Sequence, residues 1–141
     1  MSDSTFRLIP AIDKDLGDGV MIRRYLPQVS PQAVGPFIFF DYMPGIQFKA
    51  GKAVDVRPHP HIGLSTLSYL LAGRMHHRDS LGYDIIIEPG DAVLMTSGKG
   101  IVHSERTPIE DRDQRHQLHM VQFWLALPQS HEQMDPCVSY S

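Results

Sequence analysis

Apolar residues fall along this chain in short runs. They occupy residues 20–26, 37–42, 64–72, 74–78, 84–88, 92–96, 101–105 and 117–127, and many are rich in β-branched and aromatic side chains, the types that suit a pleated, half-buried surface. Eleven Gly and eleven Pro punctuate the chain closely enough to break long helices. Pro44-Gly45, Ser80-Leu81-Gly82, Pro89-Gly90-Asp91 and Gly98-Lys99-Gly100 carry the residue types that turns demand. Short strands at this spacing predict an all-β sandwich or a closed barrel.

The strongest run is 117–127. Val121, Phe123, Leu125 and Leu127 alternate with Met120, Gln122, Trp124 and Ala126. Alternate residues of a strand share a face, so both faces here are largely apolar and the strand is expected to be covered on both sides. The mixed-charge segment 110–115 reads as a solvated loop, and the polar stretch 129–141 reads as an exit tail. No internal repeat or low-complexity stretch interrupts the pattern.

A chain of 141 residues suits one domain with its own core; the expected division is a single domain over 1–136 and a tail over 137–141. Net charge is −3, too weak to steer the protein to nucleic acid or a membrane surface, and no Lys/Arg cluster makes a phosphate footprint. No direct nucleic-acid contact and no membrane span are expected, since no segment approaches the roughly 18 apolar residues a bilayer requires. Cys137 is the one cysteine, so a disulfide scaffold is excluded. Met1-Ser-Asp-Ser-Thr lacks the basic and apolar stretches of a secretory signal, and a cytoplasmic location is the default expectation.

Of the eight histidines, four residues stand out by arrangement. His59 and His61 form His-Pro-His, and His103 and Glu105 form His-Ser-Glu. In extended chain each pair aims two ligand atoms to one face, and two such pairs brought together would make a cage. Pro58 and Pro60 flank His59 and restrict its backbone. Three imidazoles and a carboxylate suit Fe, Mn, Co, Ni, Cu or Zn and do not suit Ca or Mg. A structural zinc site would recruit more cysteines. A ligand histidine must be neutral, so affinity is expected to fall below about pH 6. Each pair alone also arises by chance, and spacing by itself leaves the metal site open.

Longer segments carry a family resemblance. Pro58-His-Pro-His-Ile-Gly-Leu-Ser-Thr-Leu-Ser-Tyr69, His77-Arg-Asp-Ser-Leu-Gly82, Pro89-Gly-Asp-Ala-Val-Leu-Met-Thr-Ser-Gly-Lys-Gly-Ile-Val-His-Ser-Glu-Arg106 and Gln122-Phe-Trp-Leu-Ala-Leu-Pro128 resemble, in order, segments of the pirins, a branch of the cupin superfamily. Phe37-Ile-Phe-Phe-Asp-Tyr42 fits the stretch ahead of the metal motif. The resemblance covers roughly residues 7 to 136 and implies a jelly-roll-like, antiparallel double-sheet β-barrel of six to eight strands. It implies one divalent transition metal, Fe(II) first, with Ni, Cu, Mn, Co and Zn as alternatives, held by His59, His61, His103 and Glu105. Other cupins place a Glu four residues after the second His; here that position is Ser65, so Glu105 supplies the carboxylate. The family also tends to have a small residue near Met120, so a methionine there is expected to repack the interior.

Two functions follow from the resemblance. One is quercetin 2,3-dioxygenase activity, the opening of a flavonol-like substrate with O₂, with Glu105 as general base. The other is non-enzymatic: a metal-dependent protein-binding or transcriptional regulatory module. Pirins usually carry a second barrel, and the matched segments belong to the first, so the face left open predicts either a protein partner or a homodimer. Among the remaining residues, His77 reads first as structural and second as a residue that orients a ligand. His76 has no assigned role. His119, Trp124, Phe123 and Phe39 read as core, and Met43, Met75, Met95 and Met120 as core filling. Lys99 and Arg106 read as solvated, and Cys137 as inert.

Overall fold

A computed structural model describes residues 6–17 and 19–141; the N-terminal stretch 1–5, where a secretory signal was sought, lies outside the described residues. The short apolar runs become strands of two antiparallel sheets. The strands are β1 (Ile12–Asp15), β2 (Met21–Leu26), β3 (Phe37–Phe48), β4 (Asp55–His61), β5 (Leu64–Gly73), β6 (Met75–Asp79), β7 (Asp84–Ile87), β8 (Ala92–Thr96), β9 (Ile101–Arg106), β10 (His116–Ala126) and β11 (Cys137–Tyr140). One sheet has seven strands in the order β1-β2-β3-β10-β5-β8-β11, and the other has four in the order β4-β9-β6-β7. This is the expected all-β double-sheet fold, with more strands than the six to eight that the resemblance implied.

Three of the extra strands lie at sheet edges, where sequence patterning is weakest. β1 is exposed throughout. β4 reads Asp-Val-Arg-Pro-His-Pro-His, and two prolines are tolerated because an edge strand leaves N–H positions unpaired. β11 corrects the reading of 137–141 as a tail: Cys137–Tyr140 pairs antiparallel with β8, and the Tyr140 hydroxyl donates to Asp91 at 2.6 Å. Backbone pairing, available to any sequence, overrides the polar composition there.

Two further expectations change. Pro44-Gly45 is not a turn but sits inside β3. Its neighbours pair Met43 with Met120 and Ile46 with Leu118, three steps against two, so the dipeptide forms a β-bulge with Gly45 at φ +73°. The segment 110–115 is not simply solvated. Ile109–Asp111 forms a 3-10 turn, and the Asp111 carboxylate, in a residue only 9% exposed, receives a two-point grip from Arg74 at 3.0 and 2.6 Å. Arg112 forks onto Asp55 in the same way.

The core lies between the sheets. Ile22, Met43, Leu70, Leu118 and Met120 from the larger sheet meet Met75 and Ile87 from the smaller, and Met95 is also buried, as expected of flexible gap-fillers. β10 is covered on both faces, but unequally. Met120 points into the core. On the other face, Phe123 stacks on Phe40 at 4.4 Å and Phe40 on Tyr25 at 4.8 Å, a covering made by the aromatic side chains of neighbouring strands. Among the described residues, no helix is long and apolar enough to cross a membrane.

Candidate metal centre

β4 and β9 are hydrogen-bonded neighbours, and their register sets the site. His59 lies directly opposite His103, while Val56 lies opposite Glu105. β4 therefore takes three steps where β9 takes two, and this irregularity at Arg57-Pro58 brings His59, which shares a face with His61 by strand alternation, directly opposite His103. The three rings pack with centroids 4.4 to 5.0 Å apart, and one ring nitrogen from each of His59, His61 and His103 lies within 4.8 Å of the others. His61 Nε2 and His103 Nε2 are 3.1 Å apart. His59 Nδ1 donates to the Arg57 carbonyl at 2.8 Å, which leaves its Nε2 as the lone-pair nitrogen.

Electrostatics keep two of these rings uncharged. His61 is 7% exposed and His103 2%. Burial, and then the charge of His59, push His61 down to about 4. Burial, followed by His59, His61 and His77, pushes His103 down to about 3. Both rings are neutral at ordinary pH, the form a metal ligand requires. The spacing also fits an ion: two nitrogens held at about 2.0–2.1 Å from one centre, at tetrahedral or octahedral angles, sit about 2.9–3.4 Å apart.

Glu105 follows His103 on the same inward face of β9 but does not join the three-histidine group. Its Oε1 accepts from Gln122 Nε2 at 2.9 Å and from Ser68 Oγ at 3.3 Å, and its Oε2 lies 3.2 Å from Gln122 Nε2. Glu105 and His59 border a cavity of about 150 Å³ between the sheets, walled by Phe39, Met120, Gln122 and Trp124. Trp124 meets His61 edge-on at 5.0 Å and stacks on Phe39 at 4.2 Å. Arg24 caps Phe39 at 4.6 Å while bound at two points, both 2.7 Å, to the buried Asp41.

Three of the four expected ligand residues thus converge, and Glu105 borders the same cavity. Trp124 and Phe39, expected as plain core, form the cavity wall. Gln122 and Ser68 were not singled out; the signal for Gln122 was a lone amide on the otherwise apolar inward face of β10. His77 is buried and touches His103. His76 pairs with Asp84 at 2.6 Å, and His119 bonds the Tyr42 hydroxyl at 3.0 Å. Lys99 pairs with Asp135 at the surface, Arg106 is exposed, and Cys137 is an exposed free thiol.

Comparison with known proteins agrees with this architecture. A Pirin-like protein of Caulobacter vibrioides is 45% identical over 130 residues, covering 90% of this chain and 44% of its own length. The crystal structure of quercetin 2,3-dioxygenase from Acinetobacter baumannii superposes with a TM-score of 0.85 at 40% identity, covering 93% of this chain and 42% of that one. A bacterial pirin from Escherichia coli, in complex with nickel(II), shares the fold with a TM-score of 0.72 at 22% identity, over 93% of this chain and 54% of its own. The chain spans less than half the length of the first two. The Pirin family model matches residues 19–125, and the chain belongs to the pirin family of cupins.

Proposed function

We propose that His59, His61, His103 and Glu105 hold one divalent transition metal, Fe(II) by preference, and that the cavity beside them serves ring opening of a flavonol-like substrate. The observation that carries this reading is the cluster of three imidazoles, two of them kept neutral by burial, at the edge of a cavity walled by aromatic rings. The 40% identity to a quercetin 2,3-dioxygenase structure supports the substrate class.

When bound, the ion supplies charge to an ionised substrate hydroxyl and redox chemistry toward O₂. The chain supplies the rest. Trp124 and Phe39 offer flat faces and edges that suit planar rings, and Met120 closes the inner end with a polarisable side chain. Glu105 takes the proton of the substrate hydroxyl as general base, its carboxylate aimed by Gln122 and Ser68. The cavity is smaller than the roughly 300 Å³ of pockets that enclose drug-sized ligands, so it takes one ring of the substrate; Leu16, which is exposed, and Arg24, which is half-buried, belong to its lining.

The test is oxygen uptake with loss of quercetin absorbance by the Fe(II)-loaded protein. Turnover above that of free Fe(II), abolished in Glu105→Gln, is expected. Turnover no faster than free Fe(II) would sink the dioxygenase reading.

A second reading rests on the opposite face of the larger sheet. Tyr25, Val34, Phe37, Phe40 and Phe123 line an apolar groove of about 350 Å³ there, and exposed apolar surface of this kind marks binding surfaces. It favours the protein-binding role over catalysis only if metal loading changes what that face retains.

A further inference from the structure

Behind His103 lies a second, fully buried pair. His77 is 2% exposed, and the side chain of Asp79 is wholly enclosed. Both reach their places through the β6–β9 register, which sets His77 opposite Glu105 and Asp79 opposite His103. His103 Nδ1 lies 3.5 Å from His77 Nδ1, a long hydrogen bond, and His77 Nε2 lies 2.8 Å from Asp79 Oδ2. Asp79 Oδ1 accepts the backbone N–H groups of Leu81 and Tyr83 at 2.8 and 3.2 Å.

With His77 neutral, these contacts permit one proton arrangement. Asp79 is the acceptor-only end of the chain, so His77 Nε2 carries a hydrogen and donates to it. A neutral His77 then has a bare Nδ1. The facing Nδ1 of His103 must carry a hydrogen to bond it, which leaves His103 Nε2 bare. That nitrogen is the one facing His61 and the centre of the cluster.

We infer that His77 and Asp79 are positioning residues that lock His103 in the Nδ1–H tautomer, with its Nε2 lone pair presented to the metal. The inference rests on the reading of His103 as a ligand. The turn 80–83 belongs to the device, because it holds the other oxygen of Asp79 and so fixes which oxygen meets His77. Partners of this kind fix ring orientation and tautomer in metal sites.

Asp79→Asn makes the sharpest test. The amide oxygen satisfies the Leu81 and Tyr83 N–H groups, which leaves the NH₂ facing His77 Nε2. His77 is forced into the opposite tautomer, and its Nδ1–H then opposes that of His103. His77→Phe removes the acceptor altogether. His77→Asn keeps an amide oxygen near the original Nδ1 position.

The readouts are the ring ¹⁵N spectrum of the metal-free protein and the affinity for Co(II), followed by its visible absorption. Wild-type His103 is expected as the Nδ1–H tautomer. The Co(II) dissociation constant is expected to rise about 10–100-fold in Asp79→Asn and His77→Phe, while His77→Asn keeps most of the wild-type affinity. An Nε2–H tautomer for His103 in the wild type would overturn the inference, whatever the variants do. So would wild-type Co(II) affinity in folded Asp79→Asn and His77→Phe while His103→Ala loses the ion; that result leaves the ligand assignment standing. Undiminished Co(II) binding by His103→Ala would overturn both.

Discussion

Gln122 Nε2 on β10 lies 2.9 Å from one oxygen of Glu105 and 3.2 Å from the other, so a single amide of the larger sheet grips a buried carboxylate of the smaller one. Removing that donor leaves Ser68 as the remaining partner. A hydrogen bond to a charged group contributes about 1.5–3 kcal/mol. Gln122→Leu is expected to lower the stability of the metal-free protein by that amount, read as a fall in the urea midpoint with an unaltered slope. An unmoved midpoint would mean that the grip contributes nothing.

The ligand assignment separates cleanly by substitution. His59→Ala or His103→Ala is expected to empty the site, with elemental analysis finding no transition metal in the purified variant. Glu105→Gln keeps the three imidazoles and is expected to retain metal with weakened affinity while losing flavonol turnover. Full occupancy in either histidine variant would refute the assignment.

Acid should act on the metal-free protein through the same rings. His61 and His103 titrate near 6.5 when unfolded but near about 4 and about 3 when folded. Between those values the unfolded chain binds more protons, so unfolding becomes easier as pH falls. Stability is therefore expected to drop as pH goes from about 6.5 toward 3, and His103→Asn should flatten that slope. The ordinary histidine value puts the loss of metal affinity below about pH 6; burial moves proton competition at these two rings down to about 4 and 3.

Gly73 and Gly82 offer a matched pair of backbone tests. Both have positive φ, +85° and +94°, but a Cβ at Gly73 would lie 1.9 Å from the Gln117 carbonyl oxygen, whereas one at Gly82 meets nothing within 4 Å. Gly82→Ala carries the conformational cost alone, about 1–2 kcal/mol. Gly73→Ala must also push β10 away and is expected to exceed the ordinary mutational range of about 0.5–3 kcal/mol. Thermal unfolding of the two variants checks the order.

The all-β architecture was legible because period-two runs and turn residues repeat along the chain. So were His59, His61 and His103, since strand alternation aims i and i+2 at one face. The same alternation explains the separate surroundings of Glu105. Two residues of strand rise about 6.6 Å, so His103 meets its cross-strand partner His59 while Glu105 sits a step further on, opposite Val56. What the chain did not disclose depends on registers that no local pattern carries: β4 hidden under two prolines, the bulge at Pro44-Gly45, and the pairing that sets Asp79 beside His103. β11 was missed because edge strands need little apolar content.

The two sheets divide the labour between rigidity and reach. All three imidazoles ride on β4 and β9, adjacent strands of the four-stranded sheet, so their spacing is set by one ladder of backbone hydrogen bonds. Glu105 hydrogen-bonds across the gap, to Ser68 on β5 and Gln122 on β10, and His61 meets Trp124 of β10 edge-on. If one sheet slides over the other, the carboxylate changes partners while the histidine triangle keeps its shape. The nitrogens sit together on one jaw of a vice, and the glutamate is hydrogen-bonded to the other.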